Sequence, residues 1–282
     1  RDHDWFGDWR IVVLAIMAFL GFCVFVIWEL TEKHPVVDLR ILRHRGFAAS
    51  LAVLALAFGS FFASIVILPQ WLQIAQGYTA TDAGMIMAIQ SAASLAAAPV
   101  AARLMQKVDP RILLTSGLSW MAMTTLVRST WFNGMDFYSM AWPMALQGLG
   151  VPFMMIPLTV VTLSSVRPQE TASAAGLQNF MRTMAIAIAT ATVLTIWGDS
   201  QRVARNEMVT AMRPESGQAA MSAAGLSPEQ ARGFLSMMVD QEAYVMAMNH
   251  TFFMTALLLL LSAAIVWIVP PVKPGQELPM GH

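Results

Sequence analysis

FAASLAVLALAFGSFFASIVILPQW, residues 47–71, carries no formal charge from end to end. A hydrocarbon core about 30 Å thick needs about 20 apolar helical residues to cross it. This stretch therefore reads as a transmembrane helix whose solvent is lipid. Six more stretches repeat the pattern, at 11–30, 83–102, 112–131, 137–163, 172–198 and 251–272. Inside all seven the formal charges are Glu29 at one end, Arg128 near another end, and Arg182. Hydrophobic residues make up 57% of the chain, charged residues 12%, and mean hydropathy is +0.59, which excludes a soluble domain. The expected fold is all-α and integral to the membrane, with seven transmembrane helices.

Composition narrows the function. Lys and Arg balance Asp and Glu at 17 each, so no basic surface points to nucleic acid. Cys23 is the one cysteine and reads as a small apolar residue of the first helix; it forms no intramolecular disulfide. The five histidines are scattered and no metal-ligand spacing is present. Nor is there a metalloprotease, nucleophile-elbow or phosphate-loop motif, so an enzyme is not expected, and neither is a cofactor. The 22 methionines fit either a surface that accepts many ligands or plain filling of an apolar bundle.

The start, RDHDWFGDWR at 1–10, is neither a signal peptide nor a Met-initiated end, and the chain is expected to be a piece of a larger protein. Its Trp5, Phe6 and Trp9 suit a loop at the membrane interface. Lys33, Arg40, Arg43, Arg45, Arg103, Lys107, Arg111, Arg167 and Lys273 all fall on one side if the N-terminus is outside. The short segments of the other side hold only Arg1, Arg10 and Arg128. Cytoplasmic loops carry the excess of Lys and Arg, so the expected topology is N-terminus outside and C-terminus cytoplasmic.

Three parts follow. Residues 1–46 give an outside loop, a set-apart helix and a cytoplasmic linker whose apolar and basic residues alternate around Arg40, Arg43 and Arg45. Residues 47–272 form a six-helix bundle, and 273–282 a cytoplasmic tail. Within the bundle, 199–247 reads as a long polar outside loop. It holds a separate helix from Pro228 to about Met246, with Ser227 as N-cap, Pro228 at the first position and Glu229 near the positive end of the dipole.

The candidate functional residues lie in two helices and a few single positions. QGLGVPFMMIP places Gly148, Gly150, Pro152 and Pro157 in one span, where Pro kinks a helix and Gly admits a neighbour. Helix packing and a bend lining a moving cavity both account for it. Gln178, Asn179 and Arg182 fall at i, i+1 and i+4 and are expected to share a face. An arginine exposed to hydrocarbon costs at least about 3 kcal/mol, so that face should meet protein or water, as a cavity charge or as a lock between domains. Ser60 and Gln90 are weaker candidates for a cavity wall. No Asp or Glu sits well inside a helix of the bundle, so it lacks the carboxylate that proton coupling needs.

These residues resemble a known family. AARLMQKVDPRILL at 101–114 is similar to the G-x-L-x-D-R-x-G-R-R signature of the major facilitator superfamily: Leu104, Lys107 and Arg111 match, with Ala102 for Gly and Gln106 for Asp. MALQGLGVP at 144–152 is similar to R-x-x-Q-G-x-G: Gln147, Gly148 and Gly150 match, with Met144 for Arg. Both signatures are strongest in the N-terminal half of such transporters, so decayed copies fit a C-terminal repeat. LPQWLQIAQGYTATDAG at 68–84 and GLQNFMRTMAIAIATA at 176–191, with Arg182, resemble runs of the fourteen-spanning EmrB/QacA-type drug:proton antiporters.

The resemblance implies that 47–272 is the C-terminal six-helix bundle of such a transporter and that helix 11–30 is one of two extra helices between the halves. It implies alternating access, with inward proton flow driving export of amphipathic drugs past Ser60, Gln90, Gln147, Gln178, Asn179 and Arg182. Gly148, Gly150, Pro152, Pro157, Lys107 and Arg111 would serve conformational change and packing. The proton is the coupling ion. The partners would be amphipathic small molecules, membrane lipid, an N-terminal half that supplies the proton carboxylate, and a periplasmic adaptor with an outer-membrane channel. A seven-helix sensor or receptor is the rival, weakened by the long loop before the last helix.

Overall fold

The computed structural model describes residues 9–31, 39–211 and 227–271. The expected interface loop before Trp9, residues 32–38 of the linker, the centre of the 199–247 segment and the tail lie outside the described residues.

Seven long helices account for nearly all of it. They are α1 (Trp9–Thr31), α2 (Arg45–Ile74), α3 (Ala80–Met105), α4 (Pro110–Arg128), α5 (Phe137–Leu163), α6 (Thr171–Ala211) and α7 (Pro228–Ile265), with 3-10 turns at Leu39–Arg43, Pro168–Glu170 and Val266–Ile268. Six of them, all but α4, are long and apolar enough to cross a membrane by length and composition. At 19 residues and 1.5 Å per residue, α4 spans about 28 Å. Arg111 and Arg128 near its ends and hydroxyls along it make it less apolar, and several of the hydroxyls return to the helix backbone. Ser116 donates to Leu113 O at 2.8 Å and Thr125 to Met121 O at 2.7 Å.

Local chemistry sets the helix ends. Thr79 and Asp82 form a capping box that starts α3. Asp109 accepts from Arg111 N, with Pro110 as the first residue of α4. Asp136 accepts from Ser139 N at 3.2 Å and Ser139 Oγ at 2.5 Å at the start of α5. Gly77 (φ +69) and Gly134 (φ +83) take the left-handed backbone that turns α2 toward α3 and α4 toward α5.

The expected loop at 199–247 is corrected. α6 runs unbroken through 198 and on to Ala211, and α7 runs from Pro228 straight into the last membrane span. Ser227 and Gln230 form the expected cap, but the helix they start does not end near Met246. Neither helix contains a proline beyond its first residue, and Gly198 alone does not stop α6. The two extensions are tied together where Arg205 Nε donates to Asp240 at 2.6 Å.

α2 packs on α6 and α7 as α5 packs on α3 and α4, and α4 closes against α7. The bundle is thus two three-helix units in the same layout, α2–α3–α4 and α5–α6–α7, each lending its first helix to the other unit's last two. One apolar core joins Leu54, Phe58, Leu118, Met154, Leu158 and Leu259 from α2, α4, α5 and α7. A second, at the α4–α5 connection, gathers Trp71, Trp131, Met144, Trp197 and Phe252. A third, at the opposite end, seats Ile41 of the linker turn beside Phe47 and Leu177. α1 stands apart, with Leu14, Phe19, Leu20 and Trp28 exposed along it, as a helix solvated by lipid would be.

Candidate functional site

α2, α6 and α7 do not close on each other. They leave a cavity of about 330 Å³, walled by Met181, Met184 and Ile188 of α6, by Gly59 and Ser60 of α2, and by Met254 of α7, among others. No charged side chain lines it. Thr251 and Thr255 also face it, but their hydroxyls donate to Ala247 O at 2.8 Å and Phe252 O at 3.0 Å on their own helix. Ser60 Oγ alone among the wall hydroxyls is buried without a hydrogen-bond partner. Unbranched, polarizable Met adapts to ligands of different shape, so this wall suits apolar surfaces of many outlines.

Of the six cavity candidates, only Ser60 lines this space. Gln178 is buried at 5% exposure, while Asn179 is exposed and Arg182 half-buried, so the three do not share one environment. One residue turns a helix by about 100°. That step carries Asn179 outward from Gln178. The Arg182 guanidinium donates to Asn179 Oδ1 one turn earlier and lies over the Phe58 ring at 5.5 Å from its centroid. The charge is held beside the cavity rather than in it, with an amide and an aromatic face as its partners.

Gln90 and Gln147 meet a different group, which sequence reading missed. Arg128 ends α4 and is 1% exposed, wrapped by α2, α3, α5 and α7. Its Nη1 donates to Gln147 Oε1, and Gln147 Nε2 donates in turn to Thr125 Oγ1 at 3.2 Å. The guanidinium lies over Phe252, 4.1 Å from the ring centroid, and 5.5 Å from that of Trp131. Nε and Nη2 have no hydrogen-bond partner, and Trp71 Nε1 in the same core has none either. Gln90, Ser64 and Met144 line the small space beside it. The available signal was an arginine three residues before Trp131; its position at a helix end made it read as an interface charge.

The glycine and proline motif of α5 is a packing seam. A Cβ on Gly148 would run into the carbonyl oxygen of Gln90 and lie 2.9 Å from Ala93 Cβ, so α5 and α3 touch backbone to backbone there. A Cβ on Gly150 would stand 2.8 Å from Trp120 Cδ1, and one on Gly117 of α4 would stand 2.7 Å from the Phe153 backbone. Trp120 Nε1 donates to Leu146 O at 2.6 Å across the same seam. Pro152 and Pro157 are buried within α5, as is Pro143, which the sequence reading passed over. Arg111 is a clamp: Nη1 donates to Val269 O at 2.8 Å, and Nε and Nη2 to Asp109 Oδ2 at 3.4 and 3.3 Å. Lys107 is exposed. Among the described residues no group of His, Cys, Asp and Glu could hold a metal ion.

The chain is 32% identical over 277 residues to the multidrug export protein EmrB of Escherichia coli K12, covering 96% of this chain. It is 29% identical over 276 residues to the fatty acid resistance protein FarB of Neisseria gonorrhoeae, and 26% over 279 residues to the probable multidrug resistance protein EmrY of Escherichia coli K12. Each alignment covers 54% of the relative, so the chain spans about half the length of the curated relatives it matches. The Major Facilitator Superfamily matches residues 3–190. Two three-helix units in one bundle, a match over most of the chain and EmrB-type relatives along nearly all of it place this chain in the Major Facilitator Superfamily, among the EmrB-type drug transporters.

Proposed function

We propose that this chain works as the C-terminal half of a proton-coupled multidrug efflux transporter that exports amphipathic compounds by alternating access. The observation that carries the reading is the charge-free, methionine-rich cavity between α2, α6 and α7. An apolar wall with few fixed polar groups binds by area and shape, which tolerates many drugs. The names of the relatives support the same reading: two are named for multidrug export or resistance and one for resistance to fatty acids.

Ser60 supplies the one buried wall hydroxyl without a partner of its own, free to bond a polar atom of a bound compound. Arg182 sits at the cavity's flank, where its charge acts on the polar end of an amphiphile. Among the described residues, no Asp or Glu lies well inside a span of the bundle. The proton carrier therefore belongs to an N-terminal half, as does the facing wall. In this reading the N-terminus of the chain is outside an inner membrane, the C-terminus is cytoplasmic, and a periplasmic adaptor with an outer-membrane channel completes the export route.

The test is complementation in cells stripped of their own efflux pumps. Residues 1–282 expressed alone should give no resistance to amphipathic drugs, and co-expression with the N-terminal half should restore it. Drug resistance from 1–282 alone would overturn the half-transporter reading.

A further inference from the structure

We propose that Arg128 is a positioning residue that keeps the α4–α5 end of the bundle poised to open, because its buried and incompletely hydrogen-bonded guanidinium destabilises the closed arrangement. The proposal rests on the transporter reading but is read out without any drug. A cation taken from water is stabilised only if its hydrogen bonds and charge are matched. Arg128 has one hydrogen-bond partner, Gln147, and no carboxylate paired with it. The two aromatic faces of Phe252 and Trp131 return part of the lost solvation but accept no N–H bond in the plane of the guanidinium. The space beside it, between Ser64, Gln90 and Met144, is too small to hold a water molecule. Trp71 Nε1 adds a further buried donor with no acceptor. Two buried acceptors at this end, Asn133 Oδ1 and Asn249 Oδ1, are also unmatched, but Arg128 Nε and Nη2, Trp71 Nε1 and Trp197 Nε1 outnumber them, so donors remain in excess.

Such an excess has a direction. Parting α2, α3 and α5 from α4 at this end would admit water, or a carboxylate oxygen, to Nε and Nη2, and would relieve the cost. The same charge that weakens the closed state thus favours the open one, and a stability sacrificed at a functional position is a familiar exchange. A guanidinium kept only for structure behaves in the opposite way. Removing a well-matched buried cation leaves its partners stranded and lowers stability.

The experiment uses the complete transporter with Cys23→Ala and a single reporter, Ser64→Cys, on the wall of the small space. Thermal unfolding in detergent and labelling by a membrane-impermeant maleimide are measured with Arg128 and with Arg128→Met. The expected result is a melting temperature raised by a few degrees together with labelling slowed about fivefold, the factor that about 1 kcal/mol represents. Labelling that is unchanged or faster overturns the proposal, whatever the melting temperature does. If Arg128→Met does not insert, Met144→Glu carries the test, since a carboxylate beside Arg128 should also stabilise the closed state. Met144→Glu should slow labelling of Ser64→Cys, and unchanged labelling again overturns the idea. Slower labelling in a protein that exports nothing would leave this inference standing and remove the transporter reading instead.

Discussion

α5 meets α3 and α4 through glycine, whereas α2 meets α6 and α7 across methionine, alanine and hydroxyl side chains. The layout of the two contacts is the same. On the first, Gly148, Gly150 and Gly117 present no side chain of their own, and backbone and the side chains of Trp120, Met121 and Phe153 fill the seam. On the second, Gly59 is the one glycine in the wall; a Cβ there would stand 3.2 Å from the Ala189 methyl, and beyond it the helices part to leave the cavity. In lipid, burying an apolar side chain between helices gains little over leaving it among acyl chains. Association depends on how closely helices approach and on hydrogen bonds between them. The glycine side is therefore the anchor of the bundle, and the methionine side is the part with freedom to accept a ligand.

The anchor is the place to break this comparison with the largest effect. Gly148→Leu would drive a side chain into the backbone of α3 at Gln90, which cannot rotate away as a flexible side chain would. Overpacking costs about 1–3 kcal/mol for added methylenes in an adaptable core, and here the obstacle is main chain, so at least about 3 kcal/mol is expected. The variant should fail to accumulate in the membrane or should aggregate on extraction, as read by fluorescence-detected size exclusion. A monodisperse Gly148→Leu with an unchanged melting temperature would mean that the seam is not the anchor.

The opposite change belongs on the other side. Thr192→Trp projects a large ring from the cavity wall at a position that is exposed across its mouth. Exposed substitutions away from special features stay within about 0.5 kcal/mol, so expression and melting should match the parent. Export of bulky compounds should fall several-fold, and that of small ones less. Equal export of all compounds would place ligand binding elsewhere than between α2, α6 and α7.

The sequence carried the helices well and the side-chain partners poorly. Uncharged length is a property of one segment at a time, so α1, α2, α3 and α5 could be read directly. The Ser227 cap was equally local. Continuity of α6 and α7 was missed because polar composition was taken for a loop, although a helix past the headgroups is free to be polar on every exposed face. The site was harder. Gln178, Asn179 and Arg182 were grouped by spacing alone, and the rotation between Gln178 and Asn179 separates a buried side chain from an exposed one. Gln147 was singled out beside Gly148, but its partner Arg128 lies on another helix, 19 residues earlier in the chain. Nothing periodic links two such positions. Only the approach of α4 to α5 through their glycines brings them together.

Arg111 sharpens the comparison with the smallest effect, because it ties the two units to each other rather than closing either. It extends from the first turn of α4 to the carbonyl of Val269, just past α7, and rests on the Trp267 ring at 5.6 Å from its centroid. A hydrogen bond from a charged donor contributes about 1.5–3 kcal/mol, and partial solvent access at this end places Arg111→Ala at the low edge of that range. The melting temperature should fall by a few degrees. Arg111→Lys should recover part, since an ammonium can reach one carbonyl but cannot also fork onto Asp109. Efflux in Arg111→Ala should fall no further than the loss of folded protein explains. A normal melting temperature with efflux abolished would show that the contact governs motion between the units instead of holding them, and the α3–α4 connection at 106–109 would then belong with the moving parts rather than with the scaffold.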